Sequence, residues 1–286
     1  MSSAKDVFQG GIAVITGAGS GIGAGLARQA AQAGMMVVLA DIHLEKATET
    51  AKEIIQSGGQ AQPLRVDVSR AGELDELAAK VAKDFGDVRL LINNAGIETL
   101  GNAWELSADR WDATLDINIH GVVHGVRAFV PAMLKAGKQA WIANLSSVGG
   151  LSVMPTQSAY TLSKHAVLSF TECLYLEMQI LGAPIHVSAV LPGFVKSHIF
   201  DDQSRQGEPE NARHHRTIMR EMLAAYGMET DIASAIILEQ IAQGAFWVDT
   251  HPEMTAAMIE NRFAYMRERA APRLTPEAKQ ILGLNR

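Results

Sequence analysis

Short apolar, β-branched runs recur along the chain, separated by alanine-rich stretches in which apolar residues return every three or four positions. The runs fall at residues 12–16, 36–40, 61–66, 88–92, 140–145, 185–191 and 246–248 and predict strands. The stretches between them predict helices near 21–33, 43–57, 70–85, 107–135 and 158–181. The fourth is expected to bend or break at Pro131, which has no backbone N–H to give a helix. Strands alternating with helices imply βαβ units, and hence a parallel sheet covered on both faces. Right-handed crossovers make such a sheet doubly wound, a Rossmann-like α/β architecture with its ligand crevice at the carboxyl ends of the strands. No solenoid-length repeat or low-complexity linker interrupts the pattern. The 286 residues therefore read as a single domain, with a core over residues 8–250.

The rhythm breaks after the sixth run. Residues 197–226 hold no strand candidate; a polar stretch over 201–213 precedes an amphipathic one in which Met219, Met222, Leu223 and Tyr226 share a helical face. Two readings stay open, a helix packed on the core or a lid over the crevice. The lid is favoured because the segment leaves from a strand's carboxyl end, where long excursions tend to cover sites. Residues 251–286 read as a helical extension that begins with an exposed helix over 252–269. Thr250-His251-Pro252-Glu253 has the spacing of a capping box at its start.

Composition removes several function classes. With 48% apolar and 20% charged residues the chain is globular rather than disordered. A net charge of −6, spread along the chain, speaks against a nucleic-acid partner. No 18 apolar residues run together, so no membrane-spanning helix is expected. One cysteine, Cys173, excludes an intramolecular disulfide and a multi-cysteine zinc site; it is expected to be a small core residue of its helix. Residues 1–11 carry Lys5 and Asp6 and lack the apolar stretch of a signal peptide. The expectation is a cytoplasmic protein in a reducing compartment.

The first chemistry lies in Thr16-Gly17-Ala18-Gly19-Ser20-Gly21-Ile22-Gly23, directly after the first strand and opening the first helix. Amides at a helix start, aided by the dipole, bind anions, and glycines let a pyrophosphate approach the main chain. The second strand then ends at Asp41. A carboxylate there accepts hydrogen bonds from both hydroxyls of an adenosine ribose and repels a 2′-phosphate, while the alternative role is a cap on the next helix. Both roles are compatible.

The glycine spacing is Thr-Gly-x-x-x-Gly-Ile-Gly, which resembles the short-chain dehydrogenase/reductase family. That family's other marks stand in order along residues 8–250. Asp67-Val68 ends the third strand, Asn93-Asn94-Ala95-Gly96 the fourth, and Asn118 sits in the long helix that follows. Ser147 lies 13 residues before Tyr160, Tyr160-Thr161-Leu162-Ser163-Lys164 is Tyr-x-x-x-Lys, and Pro192-Gly193 follows the sixth strand. The resemblance implies an NAD-dependent oxidoreductase with Asn118, Ser147, Tyr160 and Lys164 as catalytic residues. It implies cofactor contacts from Gly17, Ser20, Gly21, Ile22, Gly23, Asp41, Asp67, Val68, Asn94, Ala95, Gly96, Tyr160, Lys164, Pro192, Gly193, Val195 and Ser197. It also implies a homo-oligomer, a tetramer or a dimer, paired through the helices near 107–135 and 158–181. Leu168, Phe170, Leu174 and Leu176 widen the apolar face of the latter.

The chemistry of the set is legible on its own. Tyr160 and Lys164, four apart, share a helix face. A free tyrosine has a pKa of about 10, so a general base near neutral pH needs help toward the phenolate, which a neighbouring ammonium and an oxidised nicotinamide provide. Ser147 hydrogen-bonds the substrate oxygen, and by resemblance Asn118 holds a water that relays protons from Lys164. Ser146, out of register with Tyr160, is expected to be structural. Leu151, Val153, Met154, Phe194, Met219, Met222 and Tyr226 are expected to wall the substrate pocket, suiting a bulky apolar secondary alcohol or ketone. Lys196 and His198 are the nearest cations, and Glu98 would repel a carboxylate. A non-catalytic dinucleotide-binding regulator, or an epimerase or dehydratase on the same fold, are the alternative functions. His120 and His124 have zinc-ligand spacing but no third ligand, so no metal is expected. His214-His215 with Glu210 reads as a solvated surface.

Overall fold

The computed structural model describes residues 3–201 and 209–284. Strands β1 (Ile12–Thr16), β2 (Met36–Asp41), β3 (Gln60–Arg65), β4 (Val88–Asn93), β5 (Ala140–Leu145), β6 (Ile185–Leu191) and β7 (Trp247–Asp249) form one parallel sheet. Their order is β3-β2-β1-β4-β5-β6-β7, so the chain reverses direction across the sheet between β1 and β4. Helices α1 (Ala4–Phe8), α2 (Gly21–Gln32), α3 (Leu44–Gln56), α4 (Ala71–Asp84), α5 (Ala108–Leu115), α6 (Gly121–Ala136) and α7 (Ser158–Leu181) follow in chain order. After β6 come α8 (Glu210–Tyr226) and α9 (Thr230–Ala242), and after β7 come α10 (Pro252–Glu268) and α11 (Pro276–Ile281).

Alternate strand residues feed two cores. Ala13 and Ile15 of β1, Val37 and Leu39 of β2, and Leu90 and Ile92 of β4 pack with Leu26 of α2 and Ile237 and Ile241 of α9. Their neighbours Val14, Val38 and Leu91 face the other way, onto Leu77 of α4, Phe129 and Met133 of α6, and Leu174 and Met178 of α7. This period-two division is what a sheet covered on both faces requires, and it explains why the strands read as continuous apolar runs. Burial of such side chains is worth roughly 1.5–3 kcal/mol each. On one face α2 and α9 touch closely: a methyl at Gly25 would lie 2.3 Å from Ser234 Oγ.

Pro131 does not end its helix; α6 runs through it to Ala136. The irregularity sits earlier, where Asp116–His120 form one π-helical turn between α5 and α6. The expected capping box before α10 is not formed. His251 is the N-cap without a side-chain bond, and Thr250 Oγ1 instead accepts from Gly193 N at 3.1 Å. Cys173 is exposed rather than buried in a core. Leu168 and Leu174 of α7 are buried within the subunit, whereas Leu176 is exposed, as are Leu162, Ile180 and Leu181.

The segment after β6 folds back over the carboxyl end of the sheet. Ala212 and Leu223 of α8 pack with Leu100 and Phe200, and Phe194, Ile199 and Met219 join them. Part of the polar stretch expected over 201–213, residues 202–208, lies outside the described residues. The extension returns to the same place. Gly283, after α11, lies beside the His214 ring of α8, and Met258 of α10 packs on Leu151 and Leu168.

Candidate active site

A cleft of about 1770 Å³ runs along the carboxyl ends of the strands, where loops leave β1 to β6. Its two ends are built from different chemistry. At one end, Gly17 has φ +63°, and a methyl on it would lie 2.8 Å from Ala95 Cα. A methyl on Gly23 would lie 2.1 Å from the Gly17 carbonyl oxygen, so the turn closes only without a side chain. Ser20 is the N-cap of α2 but makes no side-chain cap bond, and the first-turn amides open toward the cleft. Asn94 braces this turn: its Nδ2 donates to the carbonyls of Thr16 and Gly17 at 2.8 and 3.1 Å, while the amides of Asn94 and Ala95 donate to Thr16 Oγ1.

Asp41 is nearly buried and aimed by two backbone donors, Gly19 N to Oδ2 at 2.8 Å and His43 N to Oδ1 at 2.9 Å. Each oxygen keeps a lone pair for a further donor. Lys46 and His43 line the same end of the cleft. Asp67 holds an Asx turn through Ser69, and Val68, nearly buried, packs against Gly121. Pro192, Gly193, Val195 and Ser197 line the cleft from the β6 side, with Val195 bridged to Met228. Gly21 and Gly96 also line it, and a methyl on Gly96 would lie 3.3 Å from Asn118 Oδ1 and 3.5 Å from Lys164 Nζ. These are donors, a fixed carboxylate and side-chain-free approaches, which fit a dinucleotide.

The other end gathers Ser147, Tyr160 and Lys164. Ser147 shares a hydrogen bond with the Tyr160 phenol and accepts from Gly149 N at 3.0 Å. Lys164 Nζ stands 5.5 Å from the Tyr160 ring centroid and donates to the Leu145 carbonyl at 2.9 Å. Ser146 instead donates to the Lys164 carbonyl, a structural tie between β5 and α7. Asn118 is fully buried in the π-helical turn. Its amide donates to the Ile97 carbonyl at 2.9 Å and to Ser163 Oγ at 3.0 Å, and its oxygen accepts from Ile97 N at 2.8 Å. A π-turn displaces one residue from the α register, which here seats Asn118 against the loop after β4.

The electrostatics differ from the sequence expectation. Burial raises the Tyr160 phenol above its usual range, the nearby Glu98 carboxyl adds to this, and the Ser147 bond opposes it. Burial also lowers Lys164 to about 8, with Glu98 opposing. Desolvation and Glu98 therefore outweigh the Ser147 bond, and the net shift of the phenol is upward. Glu98 is itself raised to about 8 by burial, against the bonds from Gln157 and Thr99 and the charges of Lys164 and Arg216. Burial thus favours its neutral form and weakens the repulsion of a carboxylate expected from the sequence.

The walls match the expectation only in part. Val153, Met154, Phe194 and Met219 line the cleft. Leu151 is buried in the core instead, and Tyr226 is exposed on the far side of α8, where Leu223 takes the inward position. Lys196 pairs with Glu229, and His198, which lines the cleft, pairs with Asp201. The sequence placed His215 on a solvated surface; instead it is buried on the inner side of α8, lines the cleft and shares a 2.7 Å hydrogen bond with Thr156 Oγ1. The helical extension read over 251–286 was not expected at the site, yet Met254 and Arg262 of α10 and Ile281 of α11 line the cleft. Periodicity on α8 held a weak signal, since Ala212, His215, Met219 and Leu223 recur at spacings of three and four. His120 bonds Asp116 and His124 the Val68 carbonyl; among the described residues no group of three or more His, Cys, Asp or Glu is placed to hold a metal.

Residues 11–208 match the sequence profile of the short chain dehydrogenases. The chain belongs to the short-chain dehydrogenase/reductase family. A member from Burkholderia phymatum, solved in complex with NAD, is 33% identical, with a TM-score of 0.89 over 93% of this chain and 98% of that one. A cyclohexanol dehydrogenase from Acinetobacter sp. is 36% identical over 192 residues, covering 66% of this chain and 75% of that one. The 3-oxoacyl-[acyl-carrier-protein] reductase FabG of Thermotoga maritima is 31% identical over 230 residues, covering 80% and 90%.

Proposed function

We propose that the chain is an NAD-dependent oxidoreductase that interconverts a secondary alcohol and a ketone, with Tyr160 as general acid and base. One observation carries this reading: a single cleft holds the dinucleotide-type end, with its glycine turn and Asp41, and the cluster of Ser147, Tyr160 and Lys164. Asp41 would hold the adenosine ribose, the α2 amides the pyrophosphate, and Lys164 the second ribose. When bound, the nicotinamide supplies the hydride acceptor or donor and, oxidised, a positive charge. Ser147 positions the substrate oxygen. Tyr160 takes the hydroxyl proton in oxidation and returns it in reduction, and Lys164 favours the phenolate. Asn118 has both ends of its amide committed to Ile97 and Ser163, so its role is to hold the loop after β4 against the cluster.

NAD is the expected cofactor because Asp41 is fixed by Gly19 and His43 and cannot turn away from a 2′-phosphate. Val153, Met154, Phe194 and Met219 favour a bulky, mainly apolar substrate. The relative named for cyclohexanol supports a cyclic secondary alcohol. The test is NADH-linked turnover over small, cyclic, aromatic and hydroxy-acid secondary alcohols and their ketones. Cyclic or aryl alcohols should lead. Product without net NADH would redirect the reading to an epimerase or dehydratase, and far higher efficiency with small hydroxy acids would end the apolar-pocket reading.

A further inference from the structure

Between the β4 loop and α8 the cleft wall holds a polar cluster that the hydride-transfer reading does not use. Residues 97–101 run beside residues 156 and 157, tied by Gly101 N donating to the Thr156 carbonyl at 2.8 Å. Thr156 has φ +65°, a left-handed conformation that a β-branched residue rarely adopts. It is held there by Gly101 and by His215 of α8. Glu98 lies in this strap, only 5% exposed, and lines the cleft with Gln157, Tyr160 and Lys164. Its partners are Thr99 N to Oε1 and Gln157 Nε2 to Oε2, both at 3.1 Å. Both are donors, so they fill acceptor sites and neither can take a proton from the carboxyl.

We propose that Glu98 recognises the substrate, its carboxyl donating a hydrogen bond to a second oxygen, hydroxyl or carbonyl, carried by the alcohol or ketone. The inference rests on the oxidoreductase reading above and narrows its substrate class from secondary alcohols to diols, hydroxyketones and diketones. Burial raises this carboxyl above its usual range, which favours the protonated form that can donate. Lys164, Arg216 and Tyr160 act on it electrostatically, and the cleft it lines also holds the apolar Val153, Met154, Phe194 and Met219 beside the polar Arg110, His215 and Arg262. A buried polar group that lines the cleft leaves a substrate without a second oxygen with an unmade hydrogen bond.

The experiment compares kcat/KM for cyclohexanol with that for cyclohexane-1,2-, 1,3- and 1,4-diol in the native chain, Glu98→Gln and Glu98→Met. The native chain should prefer at least one diol by about tenfold or more, in keeping with one buried hydrogen bond. Glu98→Gln, whose amide still donates, should keep most of that ratio, and Glu98→Met should bring it to within about twofold of unity. A merely structural Glu98 would lower diol and cyclohexanol together and leave the ratio unchanged. No diol preference in the native chain, which needs no variant to fold, overturns the inference, as does a ratio that survives Glu98→Met. Turnover of cyclohexanol with no diol preference leaves the oxidoreductase reading standing. Failure of every alcohol and ketone with NAD or NADH removes that reading and this inference together.

Discussion

At the residue scale the pair of Tyr160 and Lys164 is held in a dry setting that works against charge on both members. The phenol interacts with Ser147, and the Lys164 ammonium stands 5.5 Å from the centre of its ring. Tyr160→Phe should therefore lower kcat by about 10²–10⁴-fold while leaving NAD affinity in a fluorescence titration nearly unchanged, since the lost group is a proton carrier. Near-normal turnover would remove Tyr160 as the acid and base. Asp41 sets the second expectation: the native chain should favour NAD over NADP by about tenfold or more in kcat/KM, because a fixed carboxylate and a phosphate repel. Asp41→Ala should narrow that gap, the more so with Lys46 beside it. Equal efficiency of the native chain with both cofactors would contradict the assignment.

At the scale of elements, α8 is tied to the site by a buried histidine. His215 bonds Thr156, and burial, together with the charges of Arg216 and His214, lowers its pKa to about 4. In the unfolded chain the imidazole takes its proton near pH 6.5, in the folded chain only near 4. Between those values the unfolded state binds more protons, so stability falls as pH falls. His215→Gln has no such proton to gain. The native chain should lose stability in urea between pH 6.5 and 4 that the variant keeps, and parallel curves over that window would refute the burial of a neutral His215. This element also marks a limit of pattern reading. The face of Met219, Met222, Leu223 and Tyr226 mixes one side of α8 with the other, because spacings of three and four fit two overlapping stripes when a helix has few apolar residues. Helix α9 shows the opposite limit: it carries isoleucines and leucine nearly all round, so it shows no stripe and went unread.

On the scale of the whole molecule, α7 leaves Leu162, Leu176, Ile180 and Leu181 exposed on a single chain, with Ile180 83% exposed. Some of the apolar residues expected at a subunit interface, Leu168 and Leu174, are instead spent on the subunit's own core. The remaining exposed set still favours association, and the expected species in light scattering at micromolar concentration is a homotetramer. A monomeric mass would refute it, and a dimer would restrict pairing to one interface. Among the described residues no helix is long and apolar enough to cross a membrane.

The sequence by itself determined the sheet and the order of the site. Each strand lies within a residue or so of its predicted run, and the central ones, buried on both faces, are apolar nearly throughout, whereas the edge strand β3 holds Gln60, Gln62 and Arg65. Gly17, Asp41, Asn94, Ser147, Tyr160 and Lys164 were legible for a related reason: each stands at or just beyond a strand's carboxyl end or on one helix face, where local spacing fixes position. Only the tertiary structure decided what depends on residues far apart in the chain. The π-turn at Asn118 accompanies bonds to Ile97 and Ser163. The raised pKa of Glu98 depends on a dry pocket shared with Gln157 and Lys164. The burial of His215 depends on α8 meeting Thr156, and the closed outer wall on α10 and α11 folding back over the cleft. Hydrophobic periodicity reports which face of an element is buried; desolvation and charge depend on what that face meets, and that is set only when the chain closes on itself.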